Sequence, residues 1–225
     1  MMQTKRILLL IFSVMFLLLG TSASYAQSAT FEDFFCEEIS DSLFARMMGK
    51  SYKQDTTIPR SELRVVHVLH YDFEGNIKQG EIICNNAICE DLAEIFKTLY
   101  EKKYPIEKIR PVDDYDADDE KSMTDNNTSC FNWRQIAGTK KLSAHSQGLA
   151  IDINPLMNPM VKTRNGIQSV APKAGKAFAN RKKAFKGKIE RNDLCYKLFK
   201  SHGFTWGGDW RSLKDYQHFE KTAQP

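Results

Sequence analysis

The sequence predicts an α+β fold in which an antiparallel sheet is flanked by helices, and three stretches carry that prediction. Residues 63–71 and 79–85 are rich in β-branched and apolar residues and stand on either side of Asp72-Phe73-Glu74-Gly75-Asn76, as the arms of a hairpin stand around its turn. Residues 90–103 put Leu92, Ile95, Phe96 and Leu99 on one helical face, with Pro105 beyond the end. Residues 190–202 read as a second helix, closed by Gly203.

The chain divides into residues 1–26, 27–62 and 63–225. Lys5 and Arg6 precede an apolar run from Ile7 to Leu19, and Ser24 and Ala26 mark a cut after Ala26. That is the pattern of a secretory signal peptide, and the run is short for a membrane span. An uncleaved anchor is the weaker alternative. The mature chain then has 30 basic and 28 acidic side chains, a net of +2, which makes no electrostatic case for nucleic acid. Roughly 200 residues suit one domain with its own core, expected to be an exported monomer without a stable membrane span. Five cysteines (Cys36, Cys84, Cys89, Cys130 and Cys195) permit disulfides outside the cytosol but leave at least one unpaired within a chain. Small buried hydrophobes are an equally good account of most of them.

Residues 31–49 carry Phe31, Phe34, Phe35, Ile39, Leu43, Phe44 and Met47 at three- and four-residue steps, which predicts an amphipathic helix capped by Thr30. Residues 51–61 are polar, contain Pro59 and read as a loop. His67 and His70 are three apart on a strand, so they face opposite sides and are taken as structural. Residues 109–112 suggest a short strand. The acidic stretch 113–119 lacks the glycine and distal glutamate of a calcium loop and reads as solvated. With the polar residues 126–129 it leads to Phe131-Asn132-Trp133-Arg134, a candidate cleft wall. Residues 160–190 are rich in lysine, glycine and alanine and read as a mobile basic excursion, mainly solvated or else meeting an anionic polymer. No internal repeat is found.

Two clusters carry the chemistry. The first is Ser143-Ala144-His145-Ser146-Gln147-Gly148-Leu149-Ala150-Ile151-Asp152, and the second is Trp206-Gly207-Gly208-Asp209-Trp210 followed by Asp215-Tyr216-Gln217-His218-Phe219. His145, Asp152 and His218 give two imidazoles and a carboxylate, the donor set of a hydrolytic zinc site that keeps one position open. Residues 148–153 read as a strand entered through a tight turn, so His145 can fold back towards Asp152. Asp215, three residues before His218, is the candidate general base; the alternative is a turn aspartate that caps the strand. Arg134 can bind a substrate carboxylate or an oxyanion, or else pair with the acidic stretch. Ser143, Gln147, Trp206 and Tyr216 are candidate substrate contacts, with Trp210 a further channel aromatic; the alternatives are that Ser143 orients a ligand and that the three aromatics are core, as aromatics at this density commonly are. Asp209 is a brace rather than a reactant.

The pattern S-x-H-x-x-G-x-A-x-D, then W-G-G-D-W and D-x-x-H-F, resembles the M15 zinc peptidases. These include D-alanyl-D-alanine carboxypeptidases of the VanY type and L-alanyl-D-glutamate endopeptidases. Residues 104–110, 113–115 and 126–129 also resemble exported members, so the likeness runs from about residue 63 to 219. It implies a Hedgehog/D,D-peptidase type of α+β fold, with one zinc ion on His145, Asp152 and His218. It implies Asp215 as catalytic base, Arg134 as transition-state stabiliser, and peptidoglycan stem peptides as substrate. It does not imply which stem bond is cut. A non-catalytic zinc-dependent wall-binding module is the alternative from another class, and retention of Asp215 with Arg134 speaks against it.

Overall fold

A computed structural model describes residues 33–136 and 138–222. The expected signal peptide and the Thr30 cap lie outside them. The elements in chain order are β1 (Phe35–Glu38), α1 (Asp41–Met47), β2 (Leu63–Tyr71), β3 (Ile77–Asn85), α2 (Cys89–Glu101), β4 (Lys108–Ile109), α3 (Asp119–Thr124) and β5 (Asn127–Thr128). There follow β6 (Ala150–Asp152), β7 (Met160–Arg164), β8 (Ile167–Ala171), α4 (Leu194–Ser201), β9 (Thr205–Trp206), β10 (Lys214–Asp215) and β11 (His218–Glu220). The mixed α+β class is as expected, and three of the four small sheets are antiparallel: β1-β2-β3, β10-β7-β8 and β6-β11-β9. The fourth, β4-β5, is parallel.

The hairpin forms where its alternation places it. Val66, Val68, Ile82 and Cys84 face a core shared with Leu92, Phe96, Ile151, Phe199 and Phe219. Leu63, Val65 and Ile83 face a second, smaller core with Leu43, Met47, Phe131 and Trp133. The sheet is thus covered on both faces, and the larger core joins it to the β6-β11 layer. At an average of about 25 cal/mol per Å² of apolar surface, burial of this kind is the main favourable contribution to folding. His70 is buried and donates from Nδ1 to the Ile106 carbonyl at 2.7 Å, while His67 meets Glu37 at 2.8 Å. Both histidines are therefore structural.

Several expectations are corrected. Residues 31–49 do not form one helix: residues 35–38 pair antiparallel with β2, Phe35 opposite His67, and Cys36 is disulfide-bonded to Cys89 at the start of α2. The helix begins only after Ser40, whose Oγ accepts from the Leu43 amide at 3.2 Å. Pairing and cross-linking outweigh a periodicity that a short strand can imitate. The other cysteines, Cys84, Cys130 and Cys195, are free and buried. The short strand lies at Lys108–Ile109 rather than 109–112, and α4 starts at Leu194, where Asp193 Oδ1 caps the Tyr196 amide at 2.7 Å.

The acidic stretch is not merely solvated. Asp113 is buried and accepts from the amide and hydroxyl of Ser51, Asp114 pairs with Arg46, Asp116 pairs with Lys50, and Asp118 caps α3. Nor is the 160–190 segment a structureless excursion. Its first part is the hairpin β7-β8, turned by Asn165 and Gly166, both with positive φ as a tight two-residue turn requires. Its later part is held by Arg181, which donates to Met157 O, Asn158 Oδ1 and Ile189 O and lies 4.4 Å from the centre of the Tyr216 ring.

Candidate metal centre

Three sequence segments meet at one point. Ser143 Oγ accepts from the His145 amide at 3.3 Å and starts a single tight turn over Ala144–Gln147. Gly148 ends that turn with φ +64°, and a Cβ there would lie 2.6 Å from the Asn85 backbone nitrogen. Only glycine meets both demands, the left-handed backbone and the close approach to β3. The chain then enters β6, which pairs antiparallel with β11 so that Asp152 stands directly opposite His218. Residues 130–134 wrap the turn from outside. The Asn132 amide donates to His145 O, the Arg134 amide donates to Ser146 Oγ, and Arg134 O accepts from the Ser143 amide.

One donor atom each from His145, Asp152 and His218 lies within 4.8 Å of the others. His145 Nε2 is 3.3 Å from His218 Nδ1 and 3.4 Å from Asp152 Oδ2, and His218 Nδ1 is 3.2 Å from Asp152 Oδ1. The outer nitrogens have their own partners. His145 Nδ1 donates to the Cys130 carbonyl at 2.6 Å, and His218 Nε2 meets Glu220 Oε2 at 3.2 Å. Each imidazole therefore turns one anchored nitrogen outward and one inward, as a metal-binding histidine does. Glu220 was missed in the sequence, although its place two residues after His218 on a strand puts both side chains on one face. Trp210, whose ring centre is 5.2 Å from that of His218, closes this side.

The electrostatics fit a cation. Burial alone would raise the Asp152 carboxyl, but His145 and His218 outweigh it and hold the group well below the usual carboxylate range. Burial alone would lower His218, yet Asp152 and Glu220 push it up to about 10. The metal-free site thus carries a proton on His218 at neutral pH, where an inward-facing lone pair is needed. Zinc loading at pH 8 is expected to release about one proton from this histidine. Calorimetric titration in two buffers of different ionisation enthalpy reads that number, and equal heats in both would contradict it.

Asp215 ends β10, three residues before His218. Its Oδ1 is buried and has no hydrogen-bond partner among the described residues. Burial first, and the negative charge of Asp152 second, raise its pKa to about 6. A Cβ on Gly207 would lie 2.6 Å from Asp215 O and 2.8 Å from its Cβ, so the Trp206–Trp210 turn backs directly onto this aspartate. A carboxylate with one buried, unpartnered oxygen beside a histidine-carboxylate cluster is suited to accept and return a proton.

The remaining candidates separate. Arg134 is half-buried and its Nε is ion-paired with Asp119, at the start of α3. Ser143 is buried and orders the His145 turn. Gln147 is half-buried, and its backbone carbonyl accepts from Asn85 Nδ2 at 3.1 Å. Tyr216 is half-buried beneath Arg181. Trp206 is a core residue instead of a presented aromatic: it is buried, packs near Tyr196 and Phe219, and donates its indole N–H to Tyr216 O at 3.0 Å. Asp209 braces Arg191 at 2.7 Å.

No curated protein and no solved structure matches the chain. Residues 137–221 match a family model described as D-alanyl-D-alanine carboxypeptidase. The three candidate metal donors and Asp215 fall inside the matched segment, whereas Arg134 lies just before it. Over these residues the chain is similar to that M15 peptidase family, which supports a peptidase acting on peptidoglycan.

Proposed function

We propose that the chain is an exported zinc metallopeptidase that removes the terminal D-alanine from peptidoglycan stem peptides. The observation that carries this reading is the convergence of His145, Asp152 and His218 within 4.8 Å, in a segment that matches a D-alanyl-D-alanine carboxypeptidase family. His145 Nε2, an Asp152 oxygen and His218 Nδ1 would hold the ion. Bound there, zinc would supply a Lewis acid for the scissile carbonyl and lower the pKa of water.

This chain's own residues do the rest. Asp215 takes the proton of the attacking water on its carboxylate and returns it to the amine of the departing D-alanine. Its neighbours keep that carboxylate poised, with Asp152 and burial raising its proton affinity and His218 lowering it. Arg134 binds the free terminal carboxylate of the substrate through its guanidinium, which selects the last residue of the peptide. Ser143 holds His145 in register, and Gln147 and Tyr216 border the substrate path. Export rests on the composition of residues 1–26. No helix among the described residues is long and apolar enough to cross a membrane.

The test is to incubate the zinc-loaded mature protein with purified peptidoglycan and follow the fragments by mass spectrometry. Loss of terminal D-alanine is the expected result. Cleavage after L-alanine would replace this reading with an L-alanyl-D-glutamate endopeptidase. No product from folded, zinc-loaded protein would leave a wall-binding module.

A further inference from the structure

Arg134 is fixed at three points, and only the outer end of its side chain is left over. Its amide donates to Ser146 Oγ at 2.9 Å, and its carbonyl accepts from Ser146 Oγ at 2.6 Å and from the Ser143 amide at 3.0 Å. The backbone is therefore clamped to the turn that carries His145. Further out, Nε is ion-paired with Asp119 Oδ2, and both side chains are 30 % exposed. Asp119 is itself held, because its Oδ1 accepts from Asn132 Nδ2 at 2.7 Å and it lies in the first turn of α3, behind the Asp118 cap. Asn132 in turn donates its amide to His145 O at 3.1 Å. One chain of contacts thus runs from α3 through Asp119 and Asn132 to the metal-binding turn.

A guanidinium has five N–H donors, and the two terminal nitrogens form a fork that matches a carboxylate. An acid that occupied this fork would compete with substrate. Among the described residues the terminal nitrogens of Arg134 make no hydrogen bond, and the ion pair with Asp119 is made at Nε. We propose that Asp119 is a positioning residue: it holds Arg134 by Nε so that the terminal fork faces the substrate's free C-terminal carboxylate. It thereby sets the preference for a free acid over a blocked peptide end. This rests on the carboxypeptidase reading of the site and deepens it. It also explains why Asp119 stands in a run of carboxylates of which the others named above meet different partners.

The experiment compares kcat/KM for an acyl-D-alanyl-D-alanine peptide and for its C-terminal amide, with zinc-loaded full chain. Asp119→Asn keeps the shape and an oxygen for Asn132 while removing the charge that pairs with Arg134. The expected result is a loss of about tenfold for the free acid, mostly in KM, with the amide changed by less than about twofold. Zinc content should equal wild type. Arg134→Lys, which keeps a cation but not the fork, probes the same contact from the other side and should also collapse the acid-to-amide ratio. A variant that loses both substrates equally, or keeps the wild-type ratio, overturns the positioning role while wild-type release of D-alanine still stands. Wild type that releases no D-alanine overturns the carboxypeptidase reading and this inference with it. If Asp119→Asn does not fold, Asp119→Glu takes its place: it keeps the charge but moves it by one methylene, and an unchanged acid-to-amide ratio in that variant overturns the positioning role.

Discussion

Asp215→Asn is expected to lower kcat by about 10²–10⁴-fold, the usual range for a lost general base, while zinc content stays at wild type. The same substitution is expected to raise the thermal stability of the metal-free protein at pH 7. The sign follows from linkage. The folded pKa of Asp215 is raised to about 6, above its unfolded value. Between those two values the folded state binds the extra proton, so stability falls as pH rises through the window. Above it the ionised carboxylate costs roughly 2–3 kcal/mol, which asparagine removes. At pH 3 the two proteins should melt alike. The wild-type rate should have an acid limb at or below about pH 6, because an added cation favours the ionised base. Full turnover in Asp215→Asn would end the proposed mechanism, and equal melting at pH 7 would show that the carboxylate is not strained by burial.

Asp152→Asn is expected to act on both metal and fold. It removes the only anionic donor of the cluster and one of the two carboxylates that lie 3.2 Å from His218, the other being Glu220. Breaking a buried pair by deleting one partner costs about 3–5 kcal/mol, so the metal-free variant should be less stable by about that amount at pH 7. The pH dependence has two parts. Asp152 lies below its ordinary value, so its contribution is present above the unfolded carboxylate pKa and fades as pH falls. His218 is raised to about 10, so its contribution is full below the unfolded histidine pKa and is lost as pH rises to about 10. Urea titrations at pH 5, 7 and 9, with metal analysis of the purified variant, read both. Zinc retained at full stoichiometry would remove Asp152 from the donor set.

The central hairpin was legible because its residues face two cores and obey a period of two with few exceptions, from Leu63 to Asn85. The convergence of His145, Asp152 and His218 was legible from their place in the two clusters, and Gly148 stands where the backbone needs a left-handed turn close to β3. What escaped was decided by distant partners. Phe35 lies on a helical stripe with Cys36 beside it, yet β2 and Cys89 recruit them into a strand, and nothing local announces either partner. The acidic stretch resembled a solvated loop because charge composition does not reveal that Ser51, Arg46 and Lys50 wait opposite it, whereas its pairing with Arg134 was one of the two readings that the sequence offered. Glu220 was overlooked because a carboxylate outside the motif gains meaning only once His218 has an anchored ring. Trp206 was offered to substrate by its neighbours in sequence, whereas the β9-β11 pairing turns it into the core.

β11 is the middle strand of its sheet, flanked by β6 and β9, and it carries His218 near the end of the described chain. Until β11 docks, the site holds only two of its three candidate donors, His145 and Asp152. The pairing must also settle in one register, since a slip of a single position would turn His218 away from Asp152 and bring Phe219 in its place. A site built this way is assembled only when β11 has paired with β6 in register, so its donor set and its sheet form together.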